Sequence, residues 1–248
     1  MPPSTSSPVR WLLGGGAVRG RRDRPGAGAG PRPGDAARVA AELVAAGHRV
    51  ELLHVPGPGQ RPGDGTAHLA ALLADALLAD ALPAGSCRVV LPAGDPAAEG
   101  LPAGVGVVLT GPGEPVDRQV AGTPGAVAAV RAADPDAEAR CRALAGGRVR
   151  LGTGGGAAAD RTAARCLAVL MAGSGEPGVA TTDPRLVAVA GERAAWNDRA
   201  HHTWEYVMPW RAAIEQQRRL VAAGHRVRVA VPWGAGVRGG LRHRGGRS

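Results

Sequence analysis

The stretch from Gly147 to Arg185 constrains this chain more than any other. It reads GRVRLGTGGG, then AAADRTAARCLAVLMAG, then SGEPGVATTDPRL. Val149 and Leu151 alternate as in a strand, and the glycines that follow remove all side-chain bulk from a loop. From Ala157 onward the apolar residues recur at helical spacing. The pattern is one βαβ unit whose loop lies at the carboxyl end of its first strand, where α/β proteins place their ligands.

The flanking sequence repeats the alternation. Asp35 is placed as the N-cap of a helix running to Ala46, with Val39, Leu43 and Val44 on one face and Gly47 as its stop; a strand from His48 to His54 follows. The octapeptide from Leu43 to Val50 recurs letter for letter from Leu220 to Val227, a second helix end, glycine stop and strand start. Thr66 to Leu82 predicts an amphipathic helix, and Cys87 to Leu91 and Val105 to Leu109 predict strands. Turn formers dominate from Thr110 to Gly125, where no helix is expected. Asp134-Pro135 opens a helix ending at Gly146, Asp183-Pro184 opens another, and Met208 to Ala223 forms one more before a last strand from Arg226 to Val231. About six strands alternating with helices indicate a parallel α/β fold.

Composition narrows the chemistry. The 248 residues suit one large α/β domain, and the absence of Phe leaves a core of Leu, Val and Ala, which bury less area per residue than aromatic side chains. Residues 1–34 are rich in Pro, Gly, Ser and Arg and read as a flexible arm; 35–237 hold the ordered domain, and 238–248 form a basic tail. The net charge of +9 comes from arginine alone, since the chain has no lysine. Schiff-base and Walker lysines are thereby excluded. Without interleaved aromatics or a reader motif, nucleic acid is disfavoured as a partner. Cys87, Cys141 and Cys166 lack metal or redox spacing and imply a reducing, cytoplasmic setting, with peripheral membrane association left open. The apolar run from Trp11 to Val18 is too short for an integral membrane segment.

Gly152-Thr-Gly-Gly-Gly-Ala157 matches the GxGxxA phosphate-binding pattern and keeps a Rossmann-type nucleotide module in view, although no acidic residue closes a following strand. His202 and Glu205 stand at helical spacing but lack a third ligand, so no metal site is expected. His48 and His225 follow the helix-stopping glycines, where a contact with the helix carboxyl terminus suits them. Trp204, Tyr206 and Trp210 read as core packing.

Two stretches resemble the flavin-dependent proline dehydrogenases. One is Arg148 to Leu151 with Arg165 to Gly173 and Val179 to Leu186; the other is Glu205 to Met208 with Gln217 to Gly234. Weaker similarity covers Ala36 to Pro56, including Leu53-His54. The resemblance implies a distorted, shortened (β/α)8 TIM-type barrel that binds FAD at the strands' carboxyl ends. It also implies oxidation of L-proline to 1-pyrroline-5-carboxylate, with electrons leaving to a quinone or another acceptor. By the same resemblance Arg150 is the catalytic arginine beside the flavin. Thr153, Gly154, Gly155, Thr181 and Thr182 are the cofactor-binding positions, and His243 and Arg244 the substrate-carboxylate clamp.

Several family residues are replaced. Thr153 stands for a lysine, Gly156 for a tyrosine, Thr182 for a histidine, His243 for the first of two arginines, and Gly240 for the tyrosine three residues before that pair. The strand-end lysine falls on Val90, an acidic neighbour near Thr110 and a flavin-binding glutamine near Ala132. These losses imply weakened flavin binding and impaired turnover. A non-enzymatic, degenerate paralogue acting as a scaffold is the alternative reading.

Overall fold

Apolar residues on alternate strand positions need a partner layer, and this chain supplies it with helices packed outside a closed sheet. The computed structural model describes residues 28–61 and 64–237. Among them are eight strands: β1 (Arg49–His54), β2 (Cys87–Pro92), β3 (Gly106–Thr110), β4 (Val127–Arg131), β5 (Arg148–Gly152), β6 (Glu176–Ala180), β7 (Glu205–Pro209) and β8 (Val227–Trp233). Each pairs in parallel with the next, and β8 pairs with β1, so the sheet is a closed barrel. The fold is a (β/α)8 barrel, as expected from the resemblance. Closure rules out the open doubly wound sheet that a Rossmann module requires.

Among the described residues seven α-helices surround it: α1 (Pro33–Ala45), α2 (Thr66–Leu78), α3 (Gly113–Gly122), α4 (Ala137–Ala143), α5 (Ala157–Ala172), α6 (Pro184–Trp196) and α7 (Ile214–Ala222). A 3-10 turn, Pro96–Ala98, is all that joins β2 to β3. The barrel is shortened there.

Outward strand residues meet the inner faces of the helices in two apolar clusters. Val50, Leu52, Val89, Leu91, Leu109 and Val229 form one with α1 and α2. Val149, Leu151, Val179, Tyr206 and Met208 form the other with α5 and α6, which bring Leu167, Leu170 and Ala190. Cys87, Cys141 and Cys166 are buried free thiols, and Trp204 packs edge-on against Tyr206 at 4.6 Å.

The repeated octapeptide builds the same corner twice, on the two strands that close the barrel. Gly47 and Gly224 both take left-handed backbone, with φ of 84° and 79°. Their amides donate to Val44 and Val221, and the following His48 and His225 amides donate to Leu43 and Leu220. Each corner ends its helix by satisfying two orphan carbonyls and turns the chain straight into a strand.

Four local expectations are corrected. Helix α3 lies inside the stretch read as turns. Its stability comes from tertiary contacts, with Val116 fully buried and Asp117 holding Arg140 of α4 by two hydrogen bonds of 2.6 and 2.9 Å. Strand β4, not anticipated, brings the buried run Val127 to Val130. The helix expected from Met208 is strand β7 followed by a loop and α7. Left-handed residues Arg211 and Ala213 break the chain between them, and the Gln217 side-chain amide ties the break by donating to the carbonyls of Pro209 and Ala212. Helix α1 begins at Pro33 rather than at an Asp35 cap; Asp35 sits one turn in and accepts from the Arg32 amide at 3.1 Å. Of the arm, residues 1–27 lie outside the described residues, and Ala29 donates to the Pro232 carbonyl at the end of β8.

The corner before β6 tolerates no side chain. A Cβ on Gly175 would stand 2.0 Å from the Gly147 carbonyl oxygen, whereas a Cβ on Gly122 would meet nothing within 4 Å. Gly175→Ala should therefore lower the melting temperature sharply, and Gly122→Ala should leave it unchanged or raise it, as read by calorimetry.

Candidate functional site

The strands' inward positions carry charge where a barrel of this size usually carries branched apolar residues. Arg150 of β5 reaches across the barrel to Glu51 of β1, with Nη2 2.9 Å from Oε1, and both side chains are almost fully buried. Strands β1 and β5 are diametrically opposite, so this pair passes through the barrel axis. Glu205 of β7 takes Arg88 from β2 and Arg228 from β8, the latter by Nε at 2.8 Å. Arg228 also donates through Nη1 to the Val50 carbonyl at 2.8 Å.

Each of these groups answers to burial and to its partners. Desolvation alone would raise the Glu205 carboxyl, but the Arg228 and Arg88 charges outweigh it and hold the pKa at about 2. Burial lowers the pKa of Arg150, opposed first by Glu51 and then by Glu205. The network is a mutual neutralisation of charges none of which could stay buried alone.

Above this layer, toward the strands' carboxyl ends, the interior turns apolar. Leu53, Val55, Val90, Val108, Val127 and Ala129 form one cluster and Ala180, Val207 and Ala230 another. Val237, just past β8, packs onto the first, and the Gly236 amide donates to the Val55 carbonyl at 3.0 Å. Val90, where the family lysine falls, belongs to this apolar filling. His54 stacks on Trp233 with ring centroids 4.5 Å apart.

The loops after β5 and β6 meet at the rim. Thr153 donates to the Ala180 carbonyl through both its amide and its hydroxyl, each at 3.1 Å. Gly154, Gly155 and Gly156 follow with φ of 105°, 119° and 96°, a run open only to glycine. It delivers the chain to the first turn of α5, which has no side-chain cap. Just past β6 the Thr181 hydroxyl accepts from the Asp183 amide at 3.1 Å, and the Asp183 side chain caps α6 by accepting from the Arg185 amide. Thr182 is half-buried beside them.

Thus Thr153, Gly154, Gly155, Thr181 and Thr182 come together at one rim. Arg150 lies beneath the apolar layer and is committed to Glu51. His243 and Arg244 lie outside the described residues. Glu205, read with His202 as a helix-surface pair, is a strand residue facing the barrel axis, and no group of metal-binding side chains occurs among the described residues.

No sequence motif marks the interior network of Glu51, Arg88, Glu205 and Arg228. Its signal is a recurrent alternation, Arg49-Val-Glu-Leu, Arg148-Val-Arg-Leu and Arg226-Val-Arg-Val, that marks one charged and one apolar face on three strands.

No protein-family model matches the chain, and no curated protein matches it. Solved structures do. The chain is similar to proline utilization A (PutA) from Bdellovibrio bacteriovorus, a structure of that protein inactivated by N-propargylglycine, with a TM-score of 0.68 and 17% identity. The match covers 83% of this chain and 30% of that one, so the chain spans under a third of its structural neighbour. At that identity the likeness shows the fold. No described helix is long and apolar enough to cross a membrane.

Two measurements check the interior. Glu51→Gln alone should cost about 3–5 kcal/mol in urea denaturation by removing the carboxylate that meets the buried Arg150 charge, and adding Arg150→Met should restore much of it. Because the folded-state pKa of Glu205 lies below its ordinary value of 4.5, its stabilisation is complete above about pH 4.5 and is lost as pH falls toward 2. Glu205→Gln should flatten the pH dependence of stability in that window.

Proposed function

We propose that this chain is a proline dehydrogenase-like barrel that holds FAD at its carboxyl rim and turns over L-proline poorly. The observation that carries the reading is the Gly154–Gly156 run leading into uncapped α5, on a fold shared with PutA. That arrangement fits the diphosphate of a dinucleotide: bare backbone permits close approach, and orphan N–H groups at a helix start favour an anion. Thr153 and the loop amides would hold it, with Thr181 and Thr182 beside it in the loop after the next strand.

FAD, when bound, supplies the acceptor for the two electrons removed as L-proline becomes 1-pyrroline-5-carboxylate, and a quinone or other oxidant then takes them. The side chains fit this chemistry less well than the backbone fits the cofactor. Arg150, offered by resemblance as the arginine beside the flavin, is neutralised by Glu51, and the apolar layer of Leu53, Val90 and Val108 lies on the rim side of it. Thr153 spends its hydroxyl hydrogen on Ala180. His243 and Arg244 remain the pair proposed for the substrate carboxylate, Arg244 supplying the guanidinium fork and His243 a weaker donor.

The commitment of Arg150 favours a second reading, in which the chain keeps the cofactor and has lost the reaction. One preparation separates the two. Added FAD should lose fluorescence on binding and raise the melting temperature, and Gly155→Val should abolish both effects. Such a Cβ would crowd Ala133 and Ala159 at 3.2 Å in a backbone region closed to valine. Slow bleaching by proline, abolished in Arg244→Ala, supports the enzyme; a bound flavin that proline never bleaches supports the degenerate paralogue. If FAD neither binds nor stabilises, the flavoprotein reading is lost.

A further inference from the structure

The opposite mouth of the barrel holds a cavity of about 840 Å³. Five arginines reach it from five separate segments. Arg49 opens β1, Arg88 is the second residue of β2, Arg148 opens β5, Arg199 lies between α6 and β7, and Arg226 directly precedes β8. The lining holds two carboxylates, Glu176 and Asp198. These are the amino-terminal ends of the strands, away from the β5 and β6 loops.

The arginines are unequally satisfied. Arg148 bonds Glu176 at 3.2 Å, and Arg88 turns inward to Glu205. Arg199 spends its guanidinium on carbonyl oxygens of Gly173, Gly175 and Thr203, acceptors that leave its charge uncompensated. The nearest carboxylate to Arg49 is Glu205 at 3.9 Å, already shared by Arg88 and Arg228. The Arg226 carbonyl accepts from the Tyr206 amide at 2.9 Å, but its guanidinium makes no hydrogen bond or ion pair with any described residue. Burial, and after it the Arg226 charge, lower the pKa of Arg49. Two guanidinium groups therefore face one cavity with no carboxylate of their own. The repeated octapeptide accounts for the pairing, because Arg49 and Arg226 occupy the same place in its two copies.

We propose that this cavity binds a compact oligophosphate of diphosphate size, clamped between Arg49 and Arg226. A guanidinium fork matches phosphate oxygens two at a time. The lining carries three more positive than negative side chains. A diphosphate offsets that excess, whereas a single carboxylate does not. The volume suits a ligand up to a nucleoside diphosphate. The site lies at the end of the barrel opposite the flavin rim and does not depend on that reading.

The test is calorimetric titration and thermal shift on the full chain with sodium pyrophosphate and, separately, ADP. Three variants accompany the wild type: Arg226→Ser at the cavity, Gly155→Val at the flavin rim, and Arg118→Ser on the exposed face of α3 as a control for net charge. Pyrophosphate should stabilise the wild type, Gly155→Val and Arg118→Ser alike. Arg226→Ser should bind it on the order of ten to a hundred times more weakly, with an unliganded melting temperature no lower than wild type, because it removes repulsion and breaks no bond. Equal affinity for ADP and pyrophosphate identifies the diphosphate group as the whole ligand, and tighter ADP binding identifies a nucleotide as its source. No pyrophosphate effect on the wild type overturns the proposal. So does a shift kept in Arg226→Ser, or one lost in Gly155→Val, which would place the anion at the β5 loop.

Discussion

The barrel depends on the neutralisation of charge along its axis. Three arginines and two glutamates, Arg88, Arg150, Arg228, Glu51 and Glu205, are enclosed by eight strands. Each would cost several kcal/mol to bury alone, so every strand carrying one must present it opposite its partner. Glu51 on β1 meets Arg150 on β5, and Glu205 on β7 meets Arg88 on β2. A register slip by one residue would turn these groups outward into the apolar layer beneath the helices and turn Val50, Val149 and Val229 inward. The network thus selects a single register more sharply than apolar packing alone would.

The same network divides the interior into two ends of opposite character. Toward the carboxyl rim the inward residues are apolar and mostly small, giving way at the strand ends to Thr110 and to Arg131, which lies 3.8 Å from Asp134. Toward the amino-terminal mouth the inward residues are arginines whose number exceeds their carboxylates. In most (β/α)8 proteins the carboxyl rim gathers the charged side chains. Here the inward arginines gather at the other end, and the rim presents a glycine run at the start of α5.

Much of the architecture was readable along the chain. The βαβ unit at Gly147 to Arg185, the helix starting at Asp183-Pro184 and the two identical glycine corners follow from local chemistry, and the structure keeps them. Helix α3 was not readable because its segment is poor in helix formers and holds together through Val116 and the Asp117–Arg140 pair, which exist only when α4 is packed beside it. Strand β7 was obscured because Met208, Trp210 and the residues up to Ala223 mimic a helical period; the left-handed turn at Arg211 and Ala213 cannot be read from such residue types. At the candidate site, the resemblance names the rim positions after β5 and β6. It names Arg150 too, but the sequence could not show that Glu51, ninety-nine positions earlier, would pair with it.

What the sequence determined by itself is periodicity: strands with one charged and one apolar face, helices with one apolar face, and glycines where the backbone must turn left-handed. What only the tertiary structure decided is which face is inside. In an open sheet or an isolated hairpin the charged face of Arg49-Val-Glu-Leu or Arg148-Val-Arg-Leu would meet water. Closure of β8 onto β1 turns those faces toward one another, because helices cover the apolar side and the axis is the space that remains. The charges then need partners on other strands, and that requirement, set by the barrel and invisible in any one strand, fixed the fate of Arg150 and left Arg49 and Arg226 on the neighbouring β1 and β8 ends of the opposite mouth.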